Sequence, residues 1–240
     1  DCVLVLGGAV GQPDIWFDIN GRGELSGNLS GSRSLLPGQL QNNNRPSFLD
    51  SSATVSYGTD VEGTPINVNF GSGISVADNA SPRTMWRVSD ATANTLQEAI
   101  AGDDYLEFGF TRVAYGFGVF EASNFSTFMF GSNSNAGTLD YFENLGVLVS
   151  DDPNFATSTV LFSGATIAQP GTNGFIDYNL NEFPLAQSTT YYFRVYFYGD
   201  ADNEGLLDSV GFDFILRQDL DEDGIIDCLD LDSDNDGCSD

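Results

Sequence analysis

The chain alternates short apolar runs with polar, turn-forming stretches, and this pattern predicts an all-β fold. The apolar runs are rich in β-branched and aromatic residues, which suit a pleated, half-buried surface. Within Tyr105–Thr111 the alternation is regular, so Leu106, Phe108 and Phe110 are expected to face a core. Residues 21–47 have the composition of long surface loops. The other predicted strands are Cys2–Leu6, Asp14–Asn20, Thr54–Tyr57, Ile66–Phe70, Trp86–Val88, Phe125–Phe130, Leu145–Ser150, Thr159–Phe162, Phe175–Leu180, Tyr191–Tyr198 and Leu207–Phe214.

One segment, Thr95–Ala101, has a helical pattern instead. Asn94 offers an N-cap, Glu98 lies at about the offset of a capping box, and Gly102 is expected to end the helix. The apolar side chains predicted to share one helix face are Leu96, Ala99 and Ile100.

The region from Trp86 to Phe214 resembles a jelly-roll β-sandwich of exported bacterial proteins. That resemblance implies a lectin-like architecture: an antiparallel jelly-roll β-sandwich with one short helix, spanning residues 1–216. Residues 1–80 are interpreted as its N-terminal strands and loops. The matching features are Trp86, the segment from Leu96 to Tyr105 with Leu106-Glu-Phe108 after it, Val149–Phe155, Tyr192–Tyr198 and Leu207–Val210.

The segment 219–240 differs from the rest of the chain, because it is dense in Asp and has no basic residue. A twelve-residue calcium loop supplies oxygen ligands at positions 1, 3, 5, 7, 9 and 12, with Gly at position 6 for a sharp turn. Gly224 stands at that sixth position when Asp219 is counted as the first. The predicted ligands of this first loop are Asp219, Asp221, Asp223, Ile225 through its carbonyl, Asp227 and Asp230.

A second loop with the same spacing follows at once. Gly237 takes its turn position, and its twelfth position falls beyond Asp240, so we expect the segment to continue in a longer chain. A solvated acidic tail is the alternative, although such a tail needs neither glycine nor alternating acids. The predicted ligands of the second loop are Asp232, Asp234, Asp236, Cys238 through its carbonyl, and Asp240.

Residues 219–240 resemble the thrombospondin type 3 repeat, a string of calcium loops with little hydrophobic core, and the calcium-binding segment that contains them is assigned to residues 217–240. An EF-hand uses a similar loop but needs a helix on each side, whereas Leu207–Leu216 has the pattern of a strand. A sandwich followed by such loops resembles a module of large multidomain bacterial surface proteins, including adhesins of gliding cells. The resemblance implies bound Ca²⁺.

Charge and composition exclude several function classes. The chain has 35 acidic and 8 basic residues, a net charge of −27, and its basic residues are all Arg. Nucleic acid and membrane insertion are therefore not expected. Without His or Lys, a Ser-His-Asp triad, a Schiff-base lysine and a His-liganded zinc site are impossible. Paired carboxylates remain the only catalytic chemistry, and we predict that the chain is not an enzyme.

Three cysteines are present. Cys228 and Cys238 flank the junction of the two acidic loops and are predicted to form a disulfide in an oxidising compartment, with two unpaired thiols as the alternative. Cys2 has no obvious partner.

Strand Tyr191–Tyr198 carries aromatic residues on both faces. Phe193, Val195 and Phe197 are predicted to face the core. The aromatic residues between them point to the opposite face and could stack on sugar rings. The alternative is that loops cover the strand on both sides and that its Arg is paired with an acid. The candidate ligand-binding residues are Tyr192, Arg194, Tyr196 and Trp86.

Three further acidic clusters lie in predicted loops: Asp103-Asp104, Asp151-Asp152 and Asp200–Glu204. One of them could hold a further calcium ion; alternatively each is a turn in which Asp makes local hydrogen bonds, the interpretation favoured for Asp151-Asp152.

Together these patterns predict an extracellular, cell-surface module whose role is structural and adhesive, stabilised by calcium. Its expected partners are neighbouring modules of the same long chain or identical subunits, and surface glycans. The alternatives are a carbohydrate-binding module and a subunit of a self-assembling filament.

Overall fold

The computed structural model describes most of the second half of the chain and short strands of the first half. The described residues are 3–5, 15–18, 29–30, 39–42, 49–50, 64–65, 69–79, 85–112, 119–131, 142–166, 176–186, 189–199 and 205–217.

These residues form sixteen strands and one helix. The strands of the first half are β1 (Val3–Val5), β2 (Ile15–Asp18), β3 (Leu29–Ser30), β4 (Gln39–Asn42), β5 (Leu49–Asp50), β6 (Thr64–Pro65), β7 (Asn69–Phe70), β8 (Ser75–Asn79), β9 (Met85–Ser89) and β10 (Tyr105–Arg112). The helix α1 (Leu96–Gly102) lies between β9 and β10. The remaining strands are β11 (Val119–Gly131), β12 (Asn144–Ser150), β13 (Thr159–Ala165), β14 (Ile176–Pro184), β15 (Thr189–Tyr198) and β16 (Gly205–Arg217).

The described strands belong to two sheets, and the strand pairs in both are antiparallel. The six-stranded sheet has the order β13-β12-β15-β10-β5, with β7 also paired to β10. The ten-stranded sheet has the order β3-β8-β9-β16-β2-β4-β6; β1 and β11 also pair with β16, and β14 pairs with β11. The prediction of an antiparallel all-β fold with one short helix is therefore confirmed.

Strand β16 is the main connection within the ten-stranded sheet. It pairs with β11 from Val119 opposite Arg217 to Gly131 opposite Gly205. It also pairs with β1, β2 and β9. Strands from the N-terminal part of the chain thus belong to the same sheet as the last described strand.

The core lies between the two sheets, as in a β-sandwich. The ring of Phe193 on β15 is 4.7 Å from that of Phe212 on β16, and the rings of Phe162 on β13 and Tyr178 on β14 are 5.2 Å apart, measured between centroids. Each fully buried aromatic side chain of this kind stabilises the fold by roughly 1.5–3 kcal/mol. The predicted inward-facing residues of β10 and β15 that belong to this core are Leu106, Phe108, Phe193, Val195 and Phe197, and the side chain of Phe110 lies outside the described part.

A smaller apolar cluster lies on the other face of the six-stranded sheet, which we call the outer face. There α1 packs through Ala99, which is fully buried, and through the partly buried Leu96. Ile100 is 40% exposed, so its predicted place on the buried face is wrong. The buried residues of this cluster are Ala93, Ala99, Tyr105, Leu148, Tyr196 and Tyr198.

The caps of α1 differ by one residue from the prediction. Thr95, not Asn94, is the N-cap, because its hydroxyl accepts the Glu98 N–H while the Glu98 carboxylate accepts the Thr95 N–H. This is a complete capping box, which satisfies two N–H groups at the helix start. Gly102 is the last helical residue, and Asp103 ends the helix in the left-handed conformation with φ of 60°.

Three predictions in the first half have different outcomes. The loop prediction for residues 21–47 is wrong where β3 and β4 lie, because these short strands pair with β8 and β2 and a polar sequence does not reveal such distant partners. The predicted strand Ile66–Phe70 is reduced to β7 among the described residues. The predicted strand Thr54–Tyr57 lies outside the described residues.

Candidate functional site

The candidate ligand-binding residues of β15 lie on the outer face, on the side of the sheet that sequence alternation predicts. Period-two geometry places them opposite the core residues of the same strand. They differ in exposure: Arg194, Tyr196 and Tyr198 are buried, and Tyr192 is half-buried. Helix α1 and residues 151–158 contribute side chains that pack against the buried ones.

Arg194 is the buried charge at the centre of this face. Its Nε donates a 2.8 Å hydrogen bond to Oε2 of Glu107, on the neighbouring strand β10, and the two side chains are 7% and 3% exposed. The other carboxylate oxygen of Glu107, Oε1, accepts a 2.9 Å hydrogen bond from the amide of Asn69 on β7. Both oxygens of the buried carboxylate therefore have a partner, which offsets the cost of removing the charges from water.

Two aromatic rings contact the same guanidinium. Its central carbon lies 4.0 Å from the centroid of the Tyr105 ring and 3.8 Å from that of Phe155. At these distances the ring quadrupoles attract the cation. Burial disfavours the charged form of Arg194, but the hydrogen bonds to Glu107 and Tyr196 outweigh it and hold the pKa of Arg194 above its usual value.

The loop that carries Phe155 is held by a local hydrogen-bond network. Phe155 has φ of 55°, a left-handed conformation that costs a bulky residue about 1–3 kcal/mol. The carboxylate of Asp152 accepts the N–H groups of Asn154 and Ala156, at 2.9 and 3.1 Å. These two bonds lower the pKa of Asp152. Asp151-Asp152 is thus a turn, as one of its two interpretations predicts.

The tyrosines beyond Arg194 are packed into the same layer. The rings of Tyr196 and Tyr105 are 5.5 Å apart, and the hydroxyl of Tyr198 is 2.8 Å from that of Ser163. Burial raises the pKa of Tyr196. Because Arg194 is paired with an acid and Tyr196 and Tyr198 are buried, this part of β15 fits the alternative of a strand covered on both sides.

Tyr192 keeps more exposure than its neighbours on this face. Register places it between Gly109 on β10 and Ser150 on β12, two small residues. Trp86, the fourth candidate, is on β9 in the ten-stranded sheet, so the fold does not bring it into the same sheet as the other three. The side chain of Trp86 lies outside the described part of the chain.

Asp104, between α1 and β10, is a second unusual group. It is 2% exposed, and its Oδ2 is a buried oxygen with no hydrogen-bond partner. Burial raises the pKa of Asp104 most, and the nearby Asp103 also raises it, whereas hydrogen bonds from the backbone N–H groups of Ala93 and Thr92 lower it; the resulting pKa is about 6. Such a shift marks a carboxyl group whose charged form is poorly solvated.

The predicted calcium ligands of residues 219–240, the predicted Cys228–Cys238 pair, Cys2 and Asp200–Glu204 all lie outside the described residues. Within the described ranges, no three or more His, Cys, Asp or Glu side chains converge as a group able to hold a metal ion. In the same ranges no helix has the length and hydropathy that a membrane crossing requires.

Comparison with known proteins gives a likeness to solved structures but no family. No protein-family model matches the chain, and no curated protein matches it. Among solved structures, it is similar to the CBM22-1 xylan-binding domain of Xyn10C from Paenibacillus barcinonensis, with 12% sequence identity and a TM-score of 0.36. The alignment covers 63% of this chain and 86% of that domain. A likeness this distant carries no argument about function.

Sequence analysis missed the two residues that determine the state of Arg194. Glu107 occupies an outward position in an otherwise apolar strand, which is a signal that a buried partner exists. Phe155 gave no such signal, because its contact depends on the turn built by Asp152.

Replacing Glu107 tests the ion pair. Glu107→Gln leaves the buried guanidinium without its counter-charge, so we expect the free energy of unfolding to fall by about 3 kcal/mol in urea titrations. The double variant Glu107→Leu, Arg194→Met should recover most of this loss, because apolar groups of similar volume then fill the space. Glu143→Gln, at an exposed acid, is the control and should change stability by less than about 0.5 kcal/mol. Equal effects at both glutamates would contradict the assignment.

The raised pKa of Asp104 predicts a pH dependence. The native state binds the proton of the Asp104 carboxyl group more tightly than the unfolded chain does. The stability that this protonation contributes is therefore present below about pH 4 and is lost as pH rises through about 6. We expect a loss of up to about 3 kcal/mol between these limits in chelator-containing buffer. Asp104→Asn lacks the titrating group, and the difference between its urea-unfolding curves and those of the wild type isolates the effect. Parallel pH profiles would refute it.

Proposed function

We propose that the chain is an extracellular, calcium-stabilised structural and adhesive module of a bacterial surface protein. In this proposal the sandwich is joined to a stiff connector formed by residues 217–240. The connector's two successive loops have aspartates at calcium-ligand spacing with glycine at each turn position, and this spacing supports the proposal.

The observation that carries it is the position of β16. Its last residue, Arg217, is paired on one side with Val3 of β1 and on the other with Val119 of β11. Gln218 alone separates this pairing from Asp219. A connector that starts here would follow the strand after one residue, and a rigid calcium-bound segment would then keep its direction relative to the sheet.

Electrostatics supplies the mechanism. The closely spaced carboxylates of the segment 219–240 repel one another, and bound Ca²⁺ would neutralise them and order the segment. A Cys228–Cys238 disulfide would tie the two loops together in an oxidising compartment. The module would then set the spacing between neighbouring modules or identical subunits, with adhesion or filament formation as the outcome of that spacing.

Limited proteolysis tests this proposal. With Ca²⁺ bound, cleavage near residue 219 should be slow, and a chelator should accelerate it, because an unliganded acidic segment is accessible to protease. The variant Asp221→Asn, Asp223→Asn should be cleaved rapidly in both conditions, whereas Asp151→Asn, outside the connector, should behave as the wild type. Cleavage that is indifferent to the chelator would refute the calcium-dependent connector.

Carbohydrate binding is the second candidate, and Tyr192 is the observation in its favour. Tyr192 is half-buried and lies in register with the small residues Gly109 and Ser150, and aromatic rings are a common surface on which proteins hold carbohydrates. The buried Arg194 and Tyr196 would support that ring and would not touch the ligand.

Affinity electrophoresis with soluble polysaccharides, xylan among them, tests this second candidate. If Tyr192 stacks on a sugar, Tyr192→Ala should weaken binding by about 1 kcal/mol. The Kd obtained from the retardation should then rise roughly fivefold. Val160→Ala, at an exposed residue of β13, is the matched control and should bind as the wild type. Absence of retardation for every polysaccharide, or equal retardation of both variants, would leave the structural role as the only supported one.

A further inference from the structure

Asp104 lies in a space enclosed by glycines, which explains how its carboxylate is buried. A Cβ atom placed on Gly73 would stand 1.9 Å from Oδ1 of Asp104 and 2.2 Å from the carbonyl oxygen of Gly102. A Cβ on Gly102 would stand 3.2 Å from Oδ1 and 3.6 Å from Oδ2. Any side chain at residue 73 would collide with these oxygens, so the turn at residues 71–73 and the end of α1 are both shaped around the carboxylate.

The surroundings of this carboxylate are rich in oxygen. Asp103 is adjacent, and its Oδ2 accepts a 3.3 Å hydrogen bond from the Ser72 hydroxyl. The carbonyl ends of α1 point the same way, since Asp103 and Asp104 follow its last turn, and that turn carries no basic residue. Helix carbonyls add partial negative charge to that of the two carboxylates.

The unpaired oxygen requires a partner of some kind. Two backbone N–H groups, of Thr92 and Ala93, already donate to the Asp104 carboxylate and favour its ionised form, yet Oδ2 has none. Oδ2 is buried, with essentially no surface open to solvent. Calcium binds carboxylate and carbonyl oxygens at about 2.3–2.6 Å, and both donor types surround this position.

We propose that Asp104 is a ligand of a hard cation, calcium in class, bound where the 71–73 turn meets the end of α1. Further oxygen donors are the Gly102 carbonyl, which borders the same Gly73 position as Oδ1 of Asp104, and the carboxylate of Asp103, which accepts from Ser72. The ion would fasten the turn that precedes β8 to the helix on the outer face. None of these donors belongs to residues 219–240, and the site does not depend on the function proposed for them.

Sensitised terbium luminescence distinguishes this site from the acidic tail. Tb³⁺ occupies calcium sites and emits when a nearby tyrosine or tryptophan is excited. Residues 219–240 contain neither, whereas Tyr105 follows Asp104 directly and its ring borders Gly71. We expect the full chain to show sensitised emission that Ca²⁺ competes away.

The variants assign that emission. Asp104→Asn should lose most of it, and Tyr105→Phe, which keeps the carboxylate but removes the nearest tyrosine, should reduce it while Tb³⁺ still raises the melting temperature. Asp151→Asn, at an exposed acid, should emit as the wild type. No sensitised emission from the wild type would mean that a proton alone satisfies Asp104 and would overturn the proposal. Unchanged emission from folded Asp104→Asn, or from Tyr105→Phe if Asp104→Asn does not fold, would overturn it as well.

Discussion

A buried guanidinium constrains the whole outer layer of the six-stranded sheet. Removing an arginine charge from water costs several kcal/mol unless the protein replaces the lost hydration. Here the replacement comes from separate parts of the chain: Glu107 on β10, held by Asn69 on β7, and Phe155 in the turn after β12. The ion pair explains why an acid is retained inside an aromatic strand. The turn built by Asp152 places the ring of Phe155 against the same guanidinium.

Because the outer face of this sheet is also covered, β15 is aromatic or apolar at every position from Tyr191 to Tyr198 except Arg194. Its inner residues meet the ten-stranded sheet through contacts such as Phe193 with Phe212, and its outer residues meet α1. A strand buried on both faces loses the polar alternation that normally marks its solvent side. An aromatic row of this kind suggests a sugar platform in a sequence, but in the folded chain most of it is filled by protein. Tyr192 is the member of the row that is only half-buried.

The sequence was sufficient for those features that depend on local periodicity. Alternation predicted which side of β10 and β15 faces the core, and a helix start near Glu98 followed from capping chemistry. Distant pairing was not accessible, because Glu107 and Arg194 are 87 residues apart and nothing local couples them. The strands β3 and β4 were not predicted for the same reason, because pairing with β8 and β2 is what makes these short polar segments strands. The exchange of Asn94 for Thr95 as the cap is a shift of one position, which propensity cannot resolve because both residues cap well. The burial of the unpaired oxygen of Asp104 depends on glycines that the fold brings around it. The sequence therefore identified Asp103-Asp104 as an acidic cluster but could not predict that Asp104 is buried.

The pairing of β1 with β16 has a mechanical consequence. Val3 lies opposite Arg217 in antiparallel register, so residue 3 and the exit toward the acidic segment are at the same end of the ten-stranded sheet. Tension between these two points would peel the strands apart one pair at a time, because the force acts along the hydrogen bonds between the strands and loads them in succession. Tension between Arg217 and Gly131, at the far end of β11, acts differently. It shears the longer β11–β16 pairing and loads many of its hydrogen bonds at the same time. The force that β16 resists therefore depends on where the opposing force is applied.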